Sequence, residues 1–111
     1  MTITVGRKWD KGAEYIGRGS PLGNPFVIHD ASDEDRDRVC DTYDIWLRQR
    51  YYLRDEAIVT EIHRLVELAK KGDLTLGCFC APKRCHGDSV KELIEEIIEE
   101  QKFKGVSNGG W

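Results

Sequence analysis

The sequence predicts an α/β fold, a small sheet of three to four strands packed by about three helices. Short runs with strand character alternate with longer segments of helical periodicity. The chain has 111 residues, of which 40% are hydrophobic, enough for one compact core. We therefore expect a single α/β domain over residues 1–104 and a flexible C-terminal tail over 105–111.

The strands are predicted from alternation and from one apolar run. Residues 2–5 alternate Thr with Ile or Val, and 14–16 form a second short strand. The polar segment 6–12 is predicted to be a loop or a hairpin connection between them. An apolar run over 74–80 predicts a buried central strand. With the loop and helix that follow, it forms a Rossmann-like unit near the C-terminus.

Three helices are predicted from apolar residues at helical spacing. The first runs from about Ser32 to Arg50, the second from about Asp55 to Lys71, and the third over 88–102. The outer face of the third is predicted to be solvated because it carries five glutamates. These are Glu92, Glu95, Glu96, Glu99 and Glu100.

Composition excludes several classes of function. The net charge is −3, which argues against binding duplex DNA through a broad basic face. No apolar stretch approaches the roughly 18 residues that a membrane helix needs. The N-terminus lacks the pattern of a signal peptide, so we expect a cytoplasmic location, where thiols stay reduced.

The four cysteines fall into two groups. Cys40 lies in a helical pattern and is predicted to be a buried packing thiol. The other three are followed at once by a histidine; together these residues are Cys78, Cys80, Cys85 and His86. They have zinc-ligand chemistry, but the C-x-C-x4-C-H spacing aims two adjacent residues at one ion, so no cofactor is favoured. A nucleophilic Cys85, or simply buried thiols with His86 shaping a pocket, are the alternatives.

The loop after the predicted central strand is the first candidate site. Ligands of open α/β sheets lie beyond the carboxyl ends of the strands, and the free N–H groups of a helix start favour an anion there. Asp88 is predicted to cap that helix, or else to orient His86 or bind a ribose hydroxyl. The candidate ligand-binding residues are Cys80, Pro82, Lys83, Cys85, His86, Gly87 and Asp88.

A glycine-rich loop over residues 17–26 is the second candidate site. Its glycines allow the backbone to bend around a ligand, and its polar side chains donate hydrogen bonds. It matches neither the phosphate-loop nor the dinucleotide-binding motif, and a rigid loop that closes the end of the sheet is the structural alternative. The candidate ligand-binding residues are Gly17, Arg18, Gly19, Ser20, Gly23 and Asn24.

The two loops together carry a resemblance. The motif Gly-Arg-x-Ser-x-Leu-Gly-Asn-Pro-Phe ends at Phe26, and Leu-Gly-Cys-x-Cys-x-Pro-x-x-Cys-His-Gly-Asp ends at Asp88. From about Thr2 to Glu99 the chain resembles an uncharacterised family of small phage and bacterial proteins, known only as a domain of unknown function. Leu22 stands where members often carry Trp. The resemblance implies no activity, but it marks both loops as the family's pattern.

These features predict a pocket between the two loops that binds a nucleotide-derived small molecule. The residues expected to hold phosphate are Arg18, Lys83 and the amides around Gly87. Those expected to contact ribose or base are Asn24, His86 and Asp88. The candidate aromatic residues for stacking on a base are Tyr15, Phe26 and Trp46. The resemblance and the small size suggest a phage protein that sequesters a nucleotide signal of host immunity.

Two other classes of function stay open. One is a small nucleotide or modified-base hydrolase or transferase, with His86 and Asp88, or Cys85, as catalytic residues. The other is a zinc-stabilised interaction module. A homo-oligomer is also expected, because small domains gain core by association. The candidate contact residues are Trp9, Trp46 and Trp111.

Overall fold

The computed structural model describes residues 2–26, 32–78 and 86–109, with only the backbone described over 103–109. Over these residues the chain forms three strands and three helices, as the α/β class predicts. The elements in chain order are β1 (Ile3–Arg7), β2 (Glu14–Tyr15), α1 (Asp33–Tyr52), α2 (Glu56–Lys71), β3 (Leu74–Cys78) and α3 (Gly87–Gly109).

The sheet is parallel throughout its described strands, in the order β1-β3-β2. β1 pairs with the whole of β3, from Ile3 opposite Leu74 to Arg7 opposite Cys78. β2 pairs only with the carboxyl half of β3, where Glu14 lies opposite Leu76. The hairpin alternative for the segment between β1 and β2 is therefore wrong, because the two strands lie on opposite sides of β3.

The connection over residues 8–13 is short because it crosses one face of β3 near its carboxyl end. A Cβ atom on Gly77 would lie 3.0 Å from Ala13 Cβ and 3.0 Å from Lys8 Cα. Only a residue without a side chain leaves room for the crossing. Parallel strands ordinarily need a longer crossover. The short connection is sufficient here because β2 starts opposite Leu76, so the chain does not have to return to the amino end of the sheet.

The helices begin where the sequence provides caps. The Ser32 hydroxyl accepts a hydrogen bond from the Asp35 N–H at 3.0 Å, and Asp55 accepts one from Ile58 at the start of α2. Arg54 takes the turn between α1 and α2 with φ at 66°. The backbone of α3 continues to Gly109, past the predicted end near residue 102 and into the segment predicted as a tail.

The core lies between the helices and one face of the sheet. Leu74, Leu76 and Cys78 point to the same face of β3 and are buried. α2 and α3 pack against this strand, and α1 packs on both helices. Cys40 is buried, as predicted. The glutamates on the outer face of α3 are exposed, also as predicted.

The described helices give no candidate for a membrane span: none of them is both long enough and apolar enough.

Candidate functional site

Both candidate loops begin at the same end of the sheet, where the parallel strands have their carboxyl ends. β2 and β3 are parallel neighbours, so their carboxyl ends lie side by side. The glycine-rich loop follows β2, and the loop that leads to α3 follows β3. Of the second loop the structure describes Cys78 and then His86 onward. Cys80, Pro82, Lys83 and Cys85, which the sequence names as candidates, lie outside the described residues.

The glycine-rich loop is held by its own hydrogen bonds. Gly17 O accepts from the Ser20 hydroxyl at 2.7 Å and from the Ser20 N–H at 3.0 Å. Asn24 Oδ1 accepts from the Phe26 N–H at 2.8 Å, and Arg18 O accepts from the Tyr15 hydroxyl at 2.7 Å. Two of the polar side chains that the sequence assigns to ligand binding therefore also shape the loop.

Gly23 is required by close packing within this loop. A Cβ atom at Gly23 would lie 2.7 Å from Gly17 O and 3.0 Å from Arg18 Cα. Since both neighbours are backbone atoms, a side chain could be accommodated only by moving the chain. Gly19, by contrast, has φ at +94°, a left-handed conformation that favours glycine. The glycines thus build the loop geometry before any ligand is considered.

A shallow cleft of about 300 Å³ lies on the glycine-rich loop. It brings together five of the six residues that the sequence names there, with Gly17 forming the loop's base. The lining residues are Arg18, Gly19, Ser20, Gly23, Asn24 and Pro25. The Arg18 side chain is exposed, and no carboxylate among the described residues forms an ion pair with it. An exposed guanidinium is a group that binds anions such as phosphate and carboxylate.

His86 connects the two loops. Its ring is buried, with 6% of the residue exposed, and Nε2 donates a hydrogen bond to Ile16 O at 2.6 Å. Because a carbonyl oxygen can only accept, Nε2 carries a proton, and Nδ1 is the nitrogen left for other chemistry. A general base or a zinc ligand at His86 would have to act through Nδ1. The residue thus joins the start of α3 to the start of the glycine-rich loop.

The N-terminus of α3 is capped differently from the prediction. His86 O accepts hydrogen bonds from the Ser89 and Val90 N–H groups, at 3.1 and 3.2 Å, so His86 occupies the N-cap position. The prediction of Asp88 as the N-cap is wrong, because the helix already begins at Gly87. Asp88 is exposed, and its carboxylate lies in the first turn, where the helix dipole favours it.

Asp88 lines a different cavity from the five candidate residues that line the cleft on the glycine-rich loop. This groove between α1 and α3 has a volume of about 690 Å³. Its charged lining residues are Asp41, Asp44, Asp88, Lys91, Glu92 and Glu95. Arg48 joins the two helices there, pairing with Asp44 at 3.2 Å and with Glu96 at 2.5 Å, and Glu96 raises the pKa of its guanidinium. The excess of carboxylates makes the groove unsuited to an anionic ligand.

Tyr43 contacts both the glycine-rich loop and His86, a role that the sequence did not predict. Its side chain is fully buried, its hydroxyl donates to Leu22 O at 2.7 Å, and its ring meets the His86 ring edge-to-face at 5.0 Å. From the sequence Tyr43 is only a member of an apolar helical stripe. The one feature of the sequence that indicates this role is the hydroxyl group of Tyr43, because a buried tyrosine needs a hydrogen-bond partner.

The aromatic residues proposed for base stacking differ in accessibility. Phe26 and Trp46 meet edge-to-face at 6.3 Å and pack, half-buried, against the core. Tyr15 lies beside the cleft with Lys8 Nζ 5.0 Å from its ring centroid. Trp46, proposed above as an oligomer contact, is thus partly used in packing within the chain.

The described part of the chain does not bring together a set of metal ligands. Cys78 is buried in the hydrophobic core, and within residues 2–26, 32–78 and 86–109 no three Cys, His, Asp or Glu side chains form a group able to hold a metal ion. Two of the four predicted zinc ligands, Cys80 and Cys85, fall outside those ranges.

Comparison with known proteins identifies a family. The sequence profile of a domain of unknown function, DUF4326, matches residues 3–96. The chain therefore belongs to the DUF4326 family, which confirms the expected resemblance to an uncharacterised family. No curated protein and no solved structure matches the sequence.

Proposed function

We propose that this member of the DUF4326 family binds a nucleotide-derived small molecule at the carboxyl edge of its sheet. The observation that carries the proposal is the 2.6 Å hydrogen bond from His86 to Ile16 O. It holds the N-terminus of α3 at the base of a glycine-rich loop whose Arg18 side chain is exposed. An exposed guanidinium, and glycine backbone that a ligand can approach closely, both favour phosphate.

The phosphate would bind in the cleft on the glycine-rich loop. Arg18 supplies the charge, and the left-handed turn at Gly19 allows close approach of the ligand to the backbone. The sequence assigns Lys83 to the same anion and Cys80, Pro82 and Cys85 to the same pocket; these four residues lie outside the described part of the chain.

The nucleoside would be recognised by side chains next to the cleft. Asn24 Oδ1 is used within the loop, which leaves the two Nδ2 hydrogens to donate to a base or a ribose. His86 Nδ1 is the second proposed contact, since Nε2 is already engaged. Of the candidate stacking residues we favour Tyr15, because Phe26 and Trp46 pack on each other.

A thermal-shift panel tests this proposal. The purified protein is mixed with inorganic phosphate, nucleoside mono-, di- and triphosphates, cyclic mono- and dinucleotides, and ADP-ribose. A ligand present at 100 times its Kd stabilises the native state by about 2.7 kcal/mol, a shift in Tm of several degrees. Failure of every phosphorylated nucleoside to raise Tm would contradict the proposal.

Variants locate the binding site. Arg18→Gln should weaken nucleotide binding by roughly tenfold or more, as loss of one charge-assisted contact predicts. Arg50→Gln is the matched control, because Arg50 is also exposed but lies at the end of α1. Equal affinities for the two variants would place the nucleotide away from the cleft. Recovery of unchanged ligand from denatured complex would indicate binding without turnover.

The proposal includes a cellular role, suggested by the resemblance to phage proteins and by the small size of the chain. A binding protein without turnover, produced during infection, would lower the free concentration of a nucleotide signal of host immunity. Expression of the Arg18→Gln variant should then fail to protect an infecting phage that the native protein protects. Equal protection by both would contradict this role.

A further inference from the structure

We propose that the connection after β1 presents a second binding surface, one that takes single-stranded nucleic acid. This Trp9 surface consists of Arg7, Lys8, Trp9 and Lys11. Its four residues lie outside the cleft on the glycine-rich loop, and Lys8 contacts the Tyr15 ring beside that cleft. All four residues are exposed.

Trp9 is an exposed ring on a fixed turn. Two-thirds of the residue is accessible, 66%. The turn beneath it is closed by Asp10, whose Oδ2 accepts from the Arg7 N–H at 2.8 Å and whose own N–H donates to Arg7 O at 3.0 Å. Lys8 N–H then donates to Cys78 O at 3.1 Å, which ties the turn to the sheet. The backbone that carries the ring is therefore fixed, which reduces the conformational freedom lost when a base stacks on Trp9.

Cations alternate with rings along this segment. Arg7 Cζ lies 5.8 Å from the centroid of the Trp9 ring, and Lys8 Nζ lies 5.0 Å from that of Tyr15. A single strand offers the same alternation, with a phosphate and an unstacked base in each nucleotide. Proteins that bind single strands combine basic grooves with aromatic platforms for this reason.

The local charge is positive although the chain is acidic. The two carboxylates of the segment are occupied: Asp10 holds the turn, and Glu14 pairs with Arg64 at 3.3 Å. Among the described residues no carboxylate forms an ion pair with Arg7 or Lys11. Charges more than about 8 Å away are largely screened at physiological salt, so the local sign decides binding.

The surface fits a single strand rather than a duplex. Stacking on Trp9 requires a base whose face is open, and the bases of a duplex are stacked on each other. The surface is also one turn of loop, with no helix or ribbon to enter a major groove. A duplex of equal length should therefore bind at least tenfold more weakly than the single strand.

Fluorescence anisotropy with labelled oligothymidylate and oligouridylate of twelve nucleotides tests the inference in 50 mM NaCl. Trp9→Ala should lower the affinity for both oligomers roughly tenfold or more, within the range for lost base–aromatic stacking, and Trp9→Phe should retain most of it. Leu53→Ala is the control, because Leu53 is an equally exposed apolar residue, at 77%, beyond the end of α1. Lys11→Gln should reduce the dependence of log affinity on log salt by about 0.7.

Two results would overturn the inference: no binding of either oligomer to the native protein, or the same affinity for Trp9→Ala as for Leu53→Ala. Neither result depends on the cleft. If phosphorylated nucleosides fail to bind while the oligomers bind through Trp9, the nucleotide proposal alone fails. If nucleosides bind and the oligomers do not, the Trp9 surface alone is rejected.

Discussion

His86 Nε2 donates a hydrogen bond to Ile16 O at 2.6 Å, across 70 residues of sequence. This contact joins the two segments that carry the family resemblance. It also sets the chemistry of the ring, because the nitrogen facing Ile16 must keep its proton. The buried histidine thus has a structural role, whether or not a ligand uses its other nitrogen.

Replacement of His86 by Phe should destabilise the protein. The ring shape and the edge contact with Tyr43 are retained, but Ile16 O loses its donor in a buried place, which costs about 1–3 kcal/mol. Urea denaturation measures the loss. Asp88→Asn, in the exposed first turn of α3, is the control and should lower stability by no more than about 1 kcal/mol, the contribution of one carboxylate near a helix N-terminus. Equal stability of the two variants would contradict the role assigned to His86.

Replacement of Tyr43 by Phe should loosen the glycine-rich loop. The substitution leaves Leu22 O without its donor, again at a cost of about 1–3 kcal/mol. Hydrogen exchange should show faster exchange of amides within residues 20–26, while those of α2 change with global stability only. Tyr52→Phe, which removes an exposed hydroxyl, should leave amide exchange unchanged both in residues 20–26 and in α2. Unaltered exchange in the loop would refute the link between Tyr43 and the site.

Gly23→Ala should distort the cleft. The added Cβ would meet Gly17 O at 2.7 Å, so the loop must shift, and overpacking of this kind costs about 1–3 kcal/mol. Gly72→Ala is the matched control, since Gly72 is extended, with φ at 168°, and has nothing within 4 Å of the added atom. The two variants are compared by urea denaturation and by affinity for the best ligand of the nucleotide panel. If Gly23→Ala behaves like Gly72→Ala, the close packing of the loop is not required.

Tyr51 should make the protein less stable at high pH. Partial burial, followed by the nearby Tyr52 and Glu100, raises the pKa of the Tyr51 hydroxyl above its ordinary value near 10. The unfolded chain then releases this proton at lower pH than the native protein does, so stability falls as pH rises above about 10. Tyr51→Phe should show a shallower fall between pH 10 and 11.5.

The comparison of native protein and Tyr51→Phe over pH 7–9 is the internal control for that prediction. Loss of the 2.9 Å hydrogen bond between the Tyr51 hydroxyl and His63 Nε2 offsets the two curves there without changing their slopes. Parallel curves up to pH 11.5 would show that ionisation of Tyr51 does not affect stability.

The fold class and the helices could be predicted from local patterns. The caps at Ser32 and Asp55 follow from side-chain chemistry at fixed positions, and the apolar stripes follow from helical spacing. The order of the strands could not be predicted in this way. A polar segment between two short strands is compatible with a hairpin, and the pairing of both strands with β3 shows that the segment crosses that strand.

The candidate site, like the fold, could be predicted from the sequence only in part. Its glycine-rich loop was predicted from composition, and five of the six residues named there line one cleft. Asp88 was assigned to the same site because it is close to His86 in sequence. A helix turns by 100° at each residue, so residues two positions apart, such as His86 and Asp88, face different directions, and Asp88 lines the groove between α1 and α3.

The sequence alone determined the α/β class, the family pattern, and the helix limits within two residues except at the end of α3, because these depend on local spacing. Only the tertiary structure decided that His86 donates to Ile16, that Tyr43 holds Leu22, and that Trp9 is exposed beside cations. Each of these contacts depends on which segments the parallel pairing of β3 brings together. Hydrogen bonds between residues far apart in sequence leave no periodic signal in the chain.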